Sequence, residues 1–309
     1  MAKVLITGAK GQLGQCLMDA ASCFPVHRVV GCDIDQVDIC EPDTVYRVAK
    51  ADNVKVVINC AAFTNVDKAE ENPDIACETN EKGVQRLTDV CDQLGALLVH
   101  LSTDYVFDGM ASLPYRENDK PHPISVYGAS KLAGERYVLS YGRGVVVRTS
   151  WLYSPYGHNF VATILRLGAV RQEIEVVNDQ TGSPTYAPHL AEAILQMVEK
   201  IECSTAPESL MGLYHFSNRG QCTRFEFAQK IKEQALFGAR IVPIPTSAYP
   251  TPARRPAYSV LDTQKITETF AIVPPVWEDG LNSFFTWKTI EIVQPLGYRD
   301  RLTKRPKEW

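Results

Sequence analysis

Tyr127 and Lys131, four residues apart in Tyr127-Gly128-Ala129-Ser130-Lys131, are a pair whose types could do chemistry together. On a helix, positions four apart share a face. A phenol with a pKa near ~10 is a poor acid–base group at neutral pH. A neighbouring ammonium stabilises the phenolate and lowers that value, toward the range where general acid–base catalysis is efficient. Upstream, Ser102-Thr103-Asp104-Tyr105 closes the apolar run Leu97 to Leu101, which reads as a strand. Ligands of open α/β sheets bind beyond the carboxyl ends of the strands. The Thr103 hydroxyl is therefore a candidate to orient a substrate carbonyl beside Tyr127.

A third group of residues opens the chain. Ile6-Thr7-Gly8-Ala9-Lys10-Gly11-Gln12-Leu13-Gly14 joins an apolar run to a helical pattern, with glycines at 8, 11 and 14. Glycine lets a backbone approach a pyrophosphate, and a helix N-terminus offers free N–H groups with positive dipole. Gly8 and Gly11 serve the turn, and Gly14 permits close packing of helix on strand. The spacing G-x-x-G-x-x-G is one residue longer in its first interval than the usual dinucleotide fingerprint. Asp33, at the end of the next apolar run, could accept hydrogen bonds from ribose hydroxyls and would repel a 2′-phosphate. That reading takes NADH or NADPH as cofactor and slightly favours NADH; Asp35 and Asp38 stand close enough to take the same role.

Alternating periodicities supply the elements that must position these groups. Val4–Ile6, Val29-Val30, Val54–Asn59, Leu97–Leu101 and Val145–Arg148 are short β-branched or aliphatic runs. Between them Gln12–Ala21, Pro42–Lys50, Asp67–Gly95 (broken at Pro73) and Ser125–Ser140 carry helical spacing. Strands alternating with helices predict crossover units and a parallel sheet covered on both faces. The expected fold is α/β, a Rossmann-type doubly wound sheet with a smaller C-terminal substrate-binding lobe. The second half is less regular. Residues 154–185 are rich in turn formers, Ala187–Lys200 and Phe225–Leu236 read as helices, and Leu213–Phe216 as a returning strand. Residues 243–256 hold five prolines and cannot form one regular element. The expected organisation is a nucleotide-binding domain of 1–153 with 183–220, and a lobe of 154–182 with 221–309. The basic residues Arg299, Arg301, Lys304, Arg305 and Lys307 are expected to lie in solvent.

Composition removes several classes. A length of 309 residues with 45% apolar and 22% charged residues suits a globular enzyme-sized chain. A formal net charge of −4 argues against a phosphate-backbone binder, so no nucleic acid is expected. No apolar run reaches the ~18 residues of a membrane span, and the N-terminus reads as a strand, not a secretion signal. The nine cysteines are odd in number and lack Cys-x-x-Cys spacing, so they read as reduced thiols of a cytoplasmic protein. The histidines are scattered, and no metal site is expected.

Five stretches are similar to the dTDP-4-dehydrorhamnose reductase family of the extended short-chain dehydrogenase/reductase superfamily. They are ITGAKGQLG at 6–14, INCAAFTNVDKAE at 58–70, LSTDYVFDG at 101–109, VYGASKLAGE at 126–135 and NDQTGSPTYAPHLA at 178–191. Weaker echoes at 148–160, 212–220 and 253–262 extend the resemblance to about residue 265. The resemblance implies NAD(P)H-dependent reduction of the 4-keto group of a dTDP-4-keto-6-deoxy sugar. Tyr127 would be the proton donor, Lys131 its partner and a holder of the nicotinamide ribose, and Thr103 the group orienting the carbonyl. It implies Gly11, Gln12 and Leu13 at the pyrophosphate, Asp38 and Ile39 beside adenine, and Ala61, Ala62 and Phe63 on the nicotinamide side. Asp104 and Trp151 would touch the sugar, and Arg254 or Arg255 the diphosphate.

Some members of that family hold a divalent ion between subunits through glutamates; the Glu expected beside Gly14 is Gln15 here, so no metal is expected. A homodimer is one arrangement the resemblance leaves open. The same turn and Tyr/Lys pair serve other nucleotide-sugar 4-keto reductases and epimerases. A relative also serves as the regulatory subunit of a methionine adenosyltransferase, a reading against which intact Tyr127, Lys131 and Thr103 weigh.

Overall fold

The computed structural model describes residues 2–24 and 27–293. In the first half, β1 (Ala2–Thr7) leads to α1 (Gln12–Ala20), β2 (His27–Cys32) to α2 (Pro42–Ala51), and β3 (Val54–Asn59) to α3 (Val66–Glu71) and α4 (Pro73–Cys77). Pro42 and Pro73 stand in the first turns of their helices, where no N–H is needed. A π-helical turn, Glu78–Gly83, joins α4 to α5 (Val84–Leu94), which stops at left-handed Gly95. Then come β4 (Leu97–Thr103), α6 (Val126–Ser140) and β5 (Gly144–Thr149).

The second half holds β6 (Leu152–Tyr153), α7 (Phe160–Gly168), β7 (Glu173–Val177), β8 (Thr181–Gly182), β9 (Thr185–Tyr186) and α8 (Ala187–Glu202). It continues through β10 (Gly212–His215), β11 (Cys222–Thr223), α9 (Arg224–Ala235), β12 (Arg240–Ile244), α10 (Gln264–Phe270) and α11 (Trp277–Val293). Among the described residues no helix is long and apolar enough to cross a membrane. All nine cysteines are free thiols. The basic residues from Arg299 to Lys307 lie outside the described residues.

Six strands form one parallel sheet in the order β10-β5-β4-β3-β1-β2. The chain leaves β1 toward β2 on one side and returns to β3 on the other, so strand order reverses between β1 and β3. That switch point opens a crevice at the carboxyl ends of the strands. Every residue of β4 is buried, as a strand covered on both faces requires. One face packs α1, α8 and α10 through Leu13, Leu17, Leu190, Ile194, Val198 and Phe270. The other packs α2, α5 and α6 through Val45, Leu87, Val90 and Val138.

A separate core lies over the parallel pair β7–β12, where Val161, Ile164, Ile174, Val176, Phe227, Trp277, Leu281 and Phe284 meet Tyr153 and Tyr186. Two of its elements, α7 and β7, fall where the sequence suggested mainly turns. Asn159 explains the start of α7: its side chain accepts from Ala162 N at 2.9 Å and caps the helix. Four side-chain hydrogen bonds tie the ensuing lobe to the glycine turn and α1. Gln12 accepts from Ser154 and Asn159 and donates to the His158 carbonyl, and Tyr156 Oη donates to Asp19 at 2.6 Å. Gln234 and Asn282 join α9 to α11 at the far side of the same core.

Candidate active site

The glycine turn is built for close approach. Gly8 has φ +67°, and a Cβ there would stand 2.7 Å from the Ala61 nitrogen. A Cβ on Gly14 would stand 2.3 Å from the Gly8 carbonyl oxygen and 2.7 Å from Ala9 Cα. The helix behind the turn, α1, starts at N-cap Gly11 with no side-chain cap. Its first N–H groups, those of Gln12 and Leu13 among them, are therefore available to an anion. The residues present fit a dinucleotide pyrophosphate, because bare backbone and an uncapped helix start meet at the sheet's switch point. Asp33 closes the turn from the β2 side, its carboxylate accepting from Lys10 N at 2.7 Å and from Ile34 N at 2.9 Å. Lys10 Nζ pairs with Asp35 at 2.9 Å in an exposed position. Asp38 accepts from Cys40 N at 2.8 Å, while the Ile39 side chain is packed into the core at 2% exposure.

Ala61, Ala62 and Phe63 form the loop after β3, each half-buried. Asn59 Oδ1 accepts from Ala61 N at 3.1 Å. Buried Asn80, in the π-helical turn, holds Phe63 at both backbone groups: Oδ1 accepts from Phe63 N at 2.9 Å and Nδ2 donates to Phe63 O at 3.0 Å. The same Nδ2 donates to Ser130 Oγ on α6 at 3.0 Å. No spacing in the sequence marked Asn80.

A row of side chains crosses the sheet below the site. Thr7, Asn59 and His100 are register partners on β1, β3 and β4. Thr7 Oγ1 donates to Asn59 Oδ1 at 2.7 Å, and Asn59 Nδ2 lies 3.0 Å from His100 Nδ1. His100 Nε2 stands 3.4 Å from Lys131 Nζ, which donates to the Leu101 carbonyl at 2.6 Å. Burial holds the His100 imidazole well below its ordinary pKa, with the Lys131 charge acting in the same direction.

Helix α6 brings Tyr127 and Lys131 to the end of β4. Ser125 caps it, accepting from Gly128 N at 3.1 Å. A Cβ on Gly128 would stand 2.1 Å from the Tyr105 carbonyl oxygen, so glycine is needed for the helix to sit against the 104–106 turn. Tyr127 thereby packs edge-on against Tyr105, ring centroids 5.7 Å apart. Thr103 Oγ1 donates to Asp104 Oδ1 at 3.1 Å and accepts from Tyr105 N at 3.2 Å.

The electrostatics differ from the sequence expectation in one respect. Burial pushes the Tyr127 phenol above its ordinary value, with the neighbouring Thr103 hydroxyl pulling the other way. The Lys131 ammonium is engaged by the Leu101 carbonyl rather than by the phenol. Burial lowers Lys131 itself to about 8, against the raising effect of the Glu135 carboxylate and the Cys60 thiol. Glu135 is in turn clamped by Arg148 at 2.8 and 2.6 Å and by Ser102 Oγ at 2.5 Å, with pair exposures of only 3% and 1%. Asp104 is raised to about 6 by burial, and its Oδ2 has no hydrogen-bond partner.

Trp151, at φ +46°, lies so close to Gly182 that a Cβ there would stand 2.5 Å from the indole. The Arg224 guanidinium, which the sequence gave no reason to single out, lies 3.6 Å from the Trp151 ring centroid. Arg255 is half-buried and pairs with Asp67 at 2.7 Å. Arg254 is exposed.

A phenol held protonated, a hydroxyl and a carboxylate converge beside a dinucleotide-type turn. That arrangement can protonate a carbonyl oxygen as a hydride arrives at its carbon. The family model described as "RmlD substrate binding domain" matches residues 2–289. The dTDP-4-dehydrorhamnose reductase of Aggregatibacter actinomycetemcomitans is 39% identical over 290 residues, covering 92% of this chain and 98% of that one. The reductase of the same name from Escherichia coli K12 is 36% identical over 302 residues, 93% and 99% of the two chains. The crystal structure of dTDP-4-dehydrorhamnose reductase from Bacillus anthracis in complex with NADP superposes with a TM-score of 0.87 at 39% identity, covering 93% of this chain and 100% of that one.

Proposed function

The chain belongs to the dTDP-4-dehydrorhamnose reductase family, and from that membership we propose that it reduces the 4-keto group of dTDP-4-dehydro-L-rhamnose to give dTDP-L-rhamnose. The coenzyme is a nicotinamide dinucleotide, NADH or NADPH, and it supplies the hydride. The observation that carries the assignment of roles is the meeting of Tyr127, Thr103 and Asp104 at the carboxyl end of β4, in the same parallel sheet whose strand β1 runs into the Gly8 turn. We place the protein in the cytoplasm, with its product feeding polysaccharide synthesis.

Tyr127 is the proton donor. Its raised pKa keeps the O–H intact at neutral pH, which suits a group that must give a proton to a developing alkoxide. Thr103 stands beside it to donate to the same oxygen, so charge is met by preset dipoles as it forms. Asp104 offers its unpartnered Oδ2 to a sugar hydroxyl. Trp151 supplies the apolar wall of the sugar site. Gly8, Gly11, Gln12, Leu13 and Gly14 hold the pyrophosphate through backbone, and Asp33 and Asp38 lie on the adenosine side with the backbone of Ile39. Ala61, Ala62 and Phe63 line the nicotinamide side, and Lys131 holds its ribose. The lobe of 154–182 with 221–293 clamps the nucleotide and so raises the effective molarity of the keto carbon.

The test is direct. Purified protein with dTDP-4-dehydro-L-rhamnose should oxidise NADH or NADPH and yield dTDP-L-rhamnose. Coenzyme oxidation only with a UDP-sugar, or none with any keto sugar, would sink the reading.

A further inference from the structure

Among the described residues the Arg224 guanidinium has no ion-pair partner. Arg224 is the first residue of α9, its place fixed by the Thr223–Glu226 capping box and by its backbone N donating to Gln180 O at 3.2 Å. Its guanidinium is stacked on Trp151 at 3.6 Å and lies 5.2 Å from the Phe160 ring centroid, so its orientation is set by aromatic faces. Among the described residues no carboxylate lies within 4.0 Å of it and none accepts a hydrogen bond from its five N–H donors. The other guanidinium in this part of the cleft, Arg255, is already neutralised by Asp67 and also donates to Thr251.

Next to Arg224 in the electrostatic environment are Tyr105 and Asp104. Asp104 is 2% exposed, and its Oδ2 is a buried acceptor without a donor. An unanswered fork of donors and an unanswered acceptor thus stand in one neighbourhood, bordered by the Trp151 indole. A ligand that completes both must carry an anion for the first and a hydroxyl for the second. A sugar esterified to a diphosphate has both, a few bonds apart.

We infer that Arg224 is the anion anchor of the substrate site: stacked on Trp151, it grips the diphosphate by charge-assisted hydrogen bonds while Asp104 takes a hydroxyl of the attached sugar. This inference rests on the reductase reading for the identity of the sugar nucleotide, but not for the existence of the anchor. It moves the principal anion contact from Arg254 or Arg255, which the family resemblance implied, to Arg224 on α9. Closure of that lobe on the nucleotide would then depend on the phosphate charge.

The test compares dTDP, which carries the anion, with thymidine, which does not. Wild-type protein, Arg224→Met and Arg224→Lys are titrated with both and with NADPH, after melting curves establish that each variant is folded. Arg224→Met should weaken dTDP binding at least about tenfold, the loss expected for hydrogen bonds to a charged group. The KM of the sugar nucleotide should rise by a similar factor, with kcat falling much less. Thymidine and NADPH binding should not move, and the salt dependence of dTDP binding should flatten. Arg224→Lys should recover part of the loss, since it keeps charge without the fork. Unchanged dTDP affinity in Arg224→Met overturns the anchor. So does an equal loss for thymidine, which would make Arg224 a packing residue for Trp151. UDP and GDP are titrated alongside. If wild-type protein reduces no dTDP-sugar yet binds one of them in an Arg224-dependent way, the reductase reading fails and the anchor stands. Failure of wild-type protein to bind any of the three diphosphates overturns the anchor.

Discussion

The Lys131 ammonium donates to the Leu101 carbonyl oxygen at 2.6 Å, one strand residue from His100, whose imidazole faces the same ammonium at 3.4 Å. Lysine and tyrosine therefore have separate tasks. Lys131 is fixed beneath the site by the backbone of β4, and Tyr127 stands above it as an intact phenol.

Replacing Tyr127 with Phe removes the donor proton and little volume. Turnover should fall at least about a hundredfold, the low end for general acid catalysis. Coenzyme affinity, measured by fluorescence titration, should be unchanged. Near-normal turnover would transfer the acid role to another group.

The pH dependence follows from Lys131, which burial lowers from 10.5 to about 8. Above that value the ammonium loses its charge, so kcat/KM should decline with a midpoint near 8; the Tyr127 phenol titrates higher and does not contribute this limb. Stability moves the other way. The folded state holds this proton less tightly than the unfolded chain, so the Lys131 contribution to stability rises as pH goes from about 8 toward 10.5. Lys131→Met should abolish the limb and weaken both coenzyme binding and rate. A rate profile flat from pH 7 to about 10 in the wild type would contradict the assignment.

Gly14→Ala places a Cβ 2.3 Å from the Gly8 carbonyl oxygen. Backbone on both sides must then move, so the pyrophosphate turn opens. Coenzyme affinity should drop at least about tenfold, read by isothermal titration. The equivalent change at Gly95, where a Cβ would meet nothing within 4 Å, should leave coenzyme binding unaltered.

Arg148→Met strands the buried Glu135 carboxylate. A broken buried pair costs about 3–5 kcal/mol, and urea unfolding should report a loss of that size. Because Glu135 also raises Lys131, the high-pH limb of activity should shift in the same variant. A loss below about 1 kcal/mol would show that Glu135 is taken up protonated or rehydrated.

The glycine turn, the six parallel strands and the Tyr127 helix were legible because each is specified locally, by apolar runs, caps and glycines a few residues apart. Val54–Asn59 is a strand over the residues that its apolar run marked. Asp104 and Trp151 came from the family resemblance, which implies that each touches the sugar, and not from any spacing. Arg224 was not legible, because what makes it distinctive is its stacking on Trp151 and the lack of a counter-ion, both products of tertiary packing. Asn80 was hidden for a similar reason: it meets Phe63 only through the extra residue of a π-turn, which no helical periodicity reveals. The partner of the Lys131 ammonium, the Leu101 carbonyl, was not legible from spacing alone. Two positions four apart share a helix face, but the carbonyl of a buried strand outcompeted the phenol for the ammonium.

Thr7, Asn59 and His100 bolt three central strands into one rigid rail, whereas Asp33 hangs from the outer strand β2 beyond it. Selection can therefore swap one coenzyme for another by editing the rim at residues 33–38 without retuning the groups that make and break bonds. Homologues of this scaffold should diverge freely at that rim while the rail stays fixed.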